Sequence, residues 1–153
     1  MTYVANEQLE FAYPYRAARQ PEGGYTITFR DLPEAISQAE EKESLDEIAS
    51  ECLSEALAGR IDLGEEIPRP SNPKRGEHLA LPDTNIELKI EFGRAFALAG
   101  VAQIELARRM GVTPLVVRRL LDPRHNSHVQ QYDQAMRALG KRIFRTVEIR
   151  DLS

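Results

Sequence analysis

The sequence holds one cysteine, no tryptophan and no long apolar run, and each scarcity excludes something. A lone Cys52 cannot close an internal disulfide, so the disulfide-stapled secreted class is excluded and a reducing compartment is expected. No stretch approaches the roughly 18 consecutive apolar residues that cross a bilayer. The opening Met1-Thr2-Tyr3-Val4-Ala5-Asn6-Glu7 lacks the charged-then-apolar order of a signal peptide. The expected location is therefore the cytoplasm, with no membrane partner. Histidine is scarce too: His125 and His128 stand three residues apart with only Asp122 nearby, which completes no ligand set. No metal and no cofactor are expected.

What the chain does have is apolar content enough for a core. Its 153 residues are 42% hydrophobic and 29% charged, a globular composition that suits one ordinary domain or two small ones. A net charge of −4 argues against a nucleic-acid partner only until the chain is split. Residues 1–85 carry 17 acidic and 8 basic side chains, a net of −9. Residues 86–153 carry 7 and 12, a net of +5. Opposed charge in the two halves points to two modules with different partners.

The first module reads as an antiparallel meander followed by a helix. Phe11, Tyr13 and Tyr15 alternate within a strand-like stretch from Leu9 to Ala17, where Pro14 suits an edge or a bulge. Pro21-Glu22-Gly23-Gly24 supplies a turn, and Tyr25, Ile27 and Phe29 alternate in a second strand. After Asp31-Leu32-Pro33, residues Ala35 to Ala39 form a short third strand. Ser44 and Glu47 have capping-box spacing, and Leu45, Ile48, Ala49, Cys52, Leu53, Ala56 and Leu57 draw one apolar stripe. Gly59 is positioned as the helix end, and Cys52 as a small core residue. The segment from Gly64 to Gly76 is an extended, proline-rich loop, after which His78 to Pro82 can add a fourth strand. The domain boundary is expected near Asp83, giving modules 1–82 and 83–153.

The second module reads as all-α. A stripe of Leu88, Phe92, Ala95, Phe96 and Ala99 ends at Gly100. Gln103 to Met110 is a short helix closed by Gly111, and Thr113-Pro114 opens another through Leu121. Ser127 and Gln130 repeat the capping-box spacing ahead of a last helix, and Arg142 to Leu152 alternates as a possible terminal strand and dimer surface. Two short helices meeting at a glycine turn have the spacing of a helix-turn-helix, whose second helix enters the DNA major groove. That helix presents Leu115, Arg118 and Arg119, with Thr113 at its start and Gln103 at the start of the helix before it. Arginine pairs bidentately with guanine, an apolar side chain meets the thymine methyl, and helix starts hold phosphates.

Residues 88–142 resemble the lambda-repressor-like (Xre-type) helix-turn-helix family, on Gln103-Ile104-Glu105-Leu106-Ala107 and Gly111-Val112. Residues 11–71 resemble the HicB antitoxins, on Gly24-Tyr25-Thr26-Ile27-Thr28-Phe29-Arg30-Asp31-Leu32-Pro33 and Ile67-Pro68-Arg69-Pro70-Ser71. Arg30 stands where that family commonly has proline, and Glu34-Ala35 where it has Gly-Cys. The resemblance implies a partial RNase H-like sheet with one helix, and hence an α+β chain. It also implies a small basic HicA-type mRNA interferase as toxin partner, contacted near Tyr25, Asp31, Leu32 and Glu34. The C-terminal module would bind double-stranded operator DNA and repress the chain's own operon, as a dimer or tetramer. No catalysis is expected. Asp31, Glu34, Glu40 and Glu41 are available carboxylates for an RNase H site, but on so short a sheet they read as a solvated acidic surface. The competing reading is a transcription factor whose N-terminal half senses a small ligand.

Overall fold

Alternation puts Tyr13, Tyr15 and Ala17 on one face of strand β1 (Tyr13–Arg19), in a computed structural model that describes residues 10–144, 149 and 151. Strand β2 (Tyr25–Phe29) turns Tyr25, Ile27 and Phe29 to the same side, and β3 (Ile36–Ala39) follows. With β4 (His78–Ala80) they form an antiparallel sheet in the order β3-β2-β1-β4. Tyr15 pairs with Phe29 and His78, and Tyr25 with Ala39, which sets the register. The first strand therefore begins later than its aromatics suggested and lies inside the sheet. Pro14 is tolerated there because it pairs only with Leu79, past the end of the β2 ladder.

The β1–β2 turn requires its glycines. Gly24 has φ +79°, and a Cβ there would sit 2.9 Å from the Ala39 carbonyl oxygen, against backbone that cannot swing away.

Helix α1 (Leu45–Leu63) lies across the sheet. Leu53 and Leu57 are fully buried against Tyr13, Tyr15, Ile27 and Phe29. Two expectations about its ends fail. Ser44 makes no capping bond to the helix. A 3₁₀ turn over Lys42–Ser44 precedes the helix and leaves Ser44 near-helical (φ −95°, ψ 0°), so its hydroxyl donates backwards to the Glu41 carbonyl. Gly59 does not end the helix either. The chain continues to Leu63, and Gly64 caps it at φ 66°, because Ala58 and Ile61 still pack on the core. Their burial outweighs the roughly 1 kcal/mol that an internal glycine costs.

The chain divides between Ile90 and Glu91 into two compact units. Helix α2 (Thr84–Ala99) runs through the division: Ile86 and Ile90 join the first core, whereas Phe92 belongs to the second. The second unit adds α3 (Gln103–Met110), α4 (Pro114–Leu121) and α5 (Val129–Ala138). Its core holds Leu106, Ala107, Val117, Leu120, Tyr132 and Ala135, with the Phe92 ring edge-on to Tyr132 at 6.4 Å. The chain is thus α+β, a four-stranded antiparallel sheet with five α-helices among the described residues. The second capping box does not form: His128 is the N-cap of α5, and the Ser127 hydroxyl turns back toward the Arg119 carbonyl. Of the expected terminal strand, residues 145–148, 150 and 152 lie outside the described residues, and 141–144 form no strand. No helix among the described residues is long and apolar enough to cross a membrane.

Candidate functional site

Two surfaces collect the residues singled out from the sequence. The first is built by α3 and α4. Gly111 takes φ +71°, and the Val112 N–H returns to the Ala107 carbonyl at 3.0 Å, which closes α3 and lets α4 start three residues later. Pro114 occupies the first turn of α4, where a missing N–H costs nothing. Val117 and Leu120 are fully buried, so the helix is fixed in rotation. Its other side carries Thr113, Leu115, Arg118 and Arg119, all exposed, and Gln103 is exposed at the start of α3. All five residues predicted for DNA contact thus reach solvent in this unit.

The arginines of this unit are not equivalent. Arg108 and Arg109 both bind Glu105, at 2.9 and 3.1 Å, and these hydrogen bonds pull the Glu105 carboxyl down to about 2. Each α3 arginine is therefore partly neutralised within its own helix. Arg118 has no carboxylate partner among the described residues and remains an available positive charge. Ile104, 73% exposed beside Gln103, is an apolar addition that the sequence reading missed, since its spacing follows no buried stripe.

The second surface surrounds the Asp-Leu-Pro segment, where most side chains are already engaged. Asp31 accepts the Ser71 backbone N–H at 2.8 Å and the Ser71 hydroxyl at 2.5 Å, and its side chain is only 10% exposed. Arg30 pairs with Glu77 at 3.0 Å and also binds the Asn72 carbonyl. Arg60 grips Glu34 through two nitrogens and the Glu66 carbonyl through a third, and that guanidinium holds the Glu34 carboxyl below its usual range. The Tyr13 hydroxyl donates to the Pro68 carbonyl. Together these bonds strap residues 66–77 onto the sheet. Leu32 is fully buried and has no surface to offer a partner. Tyr25 is half-buried on the core at the β2–β3 pairing.

The strap makes a prediction. Asp31→Ala leaves the Ser71 donors unmatched and should cost about 1–3 kcal/mol. The thermal midpoint should fall and limited proteolysis within residues 64–77 should accelerate. An unchanged midpoint with unchanged cleavage would mean that Asp31 serves something other than the strap.

A groove of about 440 Å³ opens between β3 and α1. Its floor is Ala35, Ile48, Cys52 and Ala56, its rim Glu34, Glu51 and Glu55, and Ile36 stands at the strand edge, 63% exposed. Burial pushes the Cys52 thiol up, so it stays protonated and behaves as a small apolar group. The carboxylates weighed as a metal site are dispersed, with Asp31 on Ser71 and Glu34 on Arg60. No group of three or more His, Cys, Asp or Glu side chains suited to a metal ion is found among the described residues.

Residues 12–91 match a family described as the HicB-like antitoxin of bacterial toxin–antitoxin systems. The chain is 32% identical over 136 residues to Antitoxin HicB 1 of Photorhabdus laumondii, covering 89% of this chain and 86% of the relative. It is 32% identical over 131 residues to Antitoxin HicB of Escherichia coli, covering 86% and 95%. Antitoxin HicB of Pseudomonas fluorescens is 28% identical over 140 residues, covering 90% and 94%.

Proposed function

The chain belongs to the HicB-like family of toxin–antitoxin antitoxins, and on that premise we propose that it silences a small HicA-type mRNA interferase and represses its own operon. It acts by binding and occlusion, without catalysis. The N-terminal module, read as a partial RNase H-like sheet, takes the toxin. The C-terminal module, read as an Xre-type helix-turn-helix, takes operator DNA through Gln103, Thr113, Leu115, Arg118 and Arg119. The observation that carries the DNA half is the sidedness of α4: Val117 and Leu120 are fully buried while Leu115, Arg118 and Arg119 face solvent. The charge split supports the division, since an acidic module attracts a basic protein and a basic module attracts phosphate.

Operators read by such helices usually carry two half-sites about one helical turn apart, so the working species is at least a homodimer. A monomer in light scattering at micromolar concentration would oppose that assembly. The ligand-sensing alternative is left with the groove between β3 and α1, because Tyr13, Tyr15, Ile27, Phe29, Leu53 and Leu57 fill the rest of the interior, each at most 2% exposed.

The test is co-expression of the full chain with the protein of the neighbouring reading frame, beside a reporter driven by the operon's promoter. Restored growth with a silent reporter is the expected result. Growth arrest despite well-expressed chain would overturn the antitoxin reading, and an active reporter would overturn the repressor reading alone.

A further inference from the structure

Between residues 92 and 121 the chain carries five arginines and one acidic side chain, Glu105. Two of the five, Arg108 and Arg109, are its partners. Arg108 grips the carboxylate with two nitrogens, Nη2 at 2.5 Å from Oε1 and Nε at 2.9 Å from Oε2. Arg109 Nε reaches the same Oε1 at 3.1 Å, so two guanidiniums converge on one anion. Helical spacing dictates this, since residues three and four apart share a face. Burial of Leu106 and Ala107 turns that face outward, and the ion pairs stand in solvent, with the Arg108 side chain 71% exposed.

Two guanidiniums on one acidic oxygen form a fork that fits a phosphate as well as a carboxylate. Exposed ion pairs along a helix are weak and yield to a competing anion. DNA backbone phosphate is such an anion, and its capture gains further from the release of condensed counterions. Glu105 also lies two residues beyond Gln103, about 3 Å along the helix axis and well within the ~8 Å screening length of physiological salt. A phosphate held at Gln103 therefore meets the repulsion of this carboxylate.

We propose that Arg108 and Arg109 form a clamp for a DNA backbone phosphate, and that Glu105 masks it and so limits operator affinity. The proposal rests on the DNA-binding reading above and adds the regulation of that surface. In the free chain Glu105 supports α3, as an acidic group in a first helical turn does. It gives up its arginines when phosphate arrives. The clamp reads no bases, so it sets affinity for DNA of any sequence and leaves specificity to α4.

The experiment measures affinity of the full chain for labelled promoter DNA and for an unrelated duplex of equal length, over a series of salt concentrations. Glu105→Gln keeps the side chain's length and should bind both duplexes at least threefold tighter, with a log–log salt slope steeper by about 1. A merely structural role for Glu105 would weaken binding and not tighten it. Glu91→Gln is the control, since it removes an equal charge from an i,i+3 pair with Arg94 at 3.0 Å on α2, and it should stay within twofold. Arg108→Ala should cost less than threefold in the wild-type chain and at least threefold more in the Glu105→Gln background, a coupling that a double-mutant cycle reads directly. Wild-type chain that binds neither duplex removes the DNA-binding reading itself. Wild-type binding that Glu105→Gln leaves unchanged or weakens overturns the mask alone. So does an equal gain from Glu91→Gln, a gain confined to the promoter duplex, or an Arg108→Ala loss that matches in both backgrounds.

Discussion

Phe29→Ala is expected to cost about 3–5 kcal/mol of unfolding free energy in the sheet-bearing unit, with toxin neutralisation lost alongside. Phe29 is 2% exposed, pairs with Tyr15 across the ladder and meets its ring at 5.8 Å. The Tyr15 hydroxyl in turn donates to Asp46 of α1, and burial together with that bond pushes the phenol upward. Truncation therefore opens a cavity where sheet and helix meet and leaves a buried polar chain poorly supported. A unit of about 80 residues has on the order of 4–12 kcal/mol in total, so the loss takes most of the margin. Chemical denaturation followed by far-ultraviolet circular dichroism measures it. A loss below about 1 kcal/mol would contradict the packing described for this core.

Arg118→Ala is expected to weaken operator binding by about 1–3 kcal/mol, roughly fivefold to over a hundredfold, with toxin neutralisation unaffected. The size follows from the side chain's freedom. Arg118 is exposed on a helix whose rotation is fixed by Val117 and Leu120, so its guanidinium is aimed outward at no cost to the core. Arg108→Ala should do less, because that arginine is shared with Glu105 before any phosphate arrives. Fluorescence anisotropy with labelled promoter DNA at fixed salt separates the two. Unchanged affinity in the Arg118 variant would remove α4 as the recognition helix.

Much of the second unit was legible from residues alone. Gln103–Met110 and Pro114–Leu121 have the bounds that the apolar spacing, Gly111 and Thr113-Pro114 predicted. Glycine and proline restrict φ wherever they occur, so their message survives any tertiary context. The capping boxes were less legible. Ser44-x-x-Glu47 and Ser127-x-x-Gln130 have the right spacing, yet neither serine caps, because the backbone entering each helix is set by what precedes it. Asp31 and Leu32 were singled out as partner contacts from a sequence signature. Their side chains hold the strap and the core, which a signature cannot distinguish from a binding surface.

The sequence by itself determined the elements, the charge division and the kinship, since these depend on side-chain type and spacing along one chain. Only the tertiary structure decided which charged groups are spent and which are available. Arg30, Asp31, Glu34 and Arg60 are neighbours of the proline-rich strap through contacts 6 to 47 residues apart. The half-covered stripe of α1 was likewise invisible, because spacing says which residues share a helix face but not how far a four-residue edge strand reaches across it. Opposed charges in two modules pointed to two partners. Fixing the rotation of the helix that carries Arg118, through buried Val117 and Leu120, required the fold.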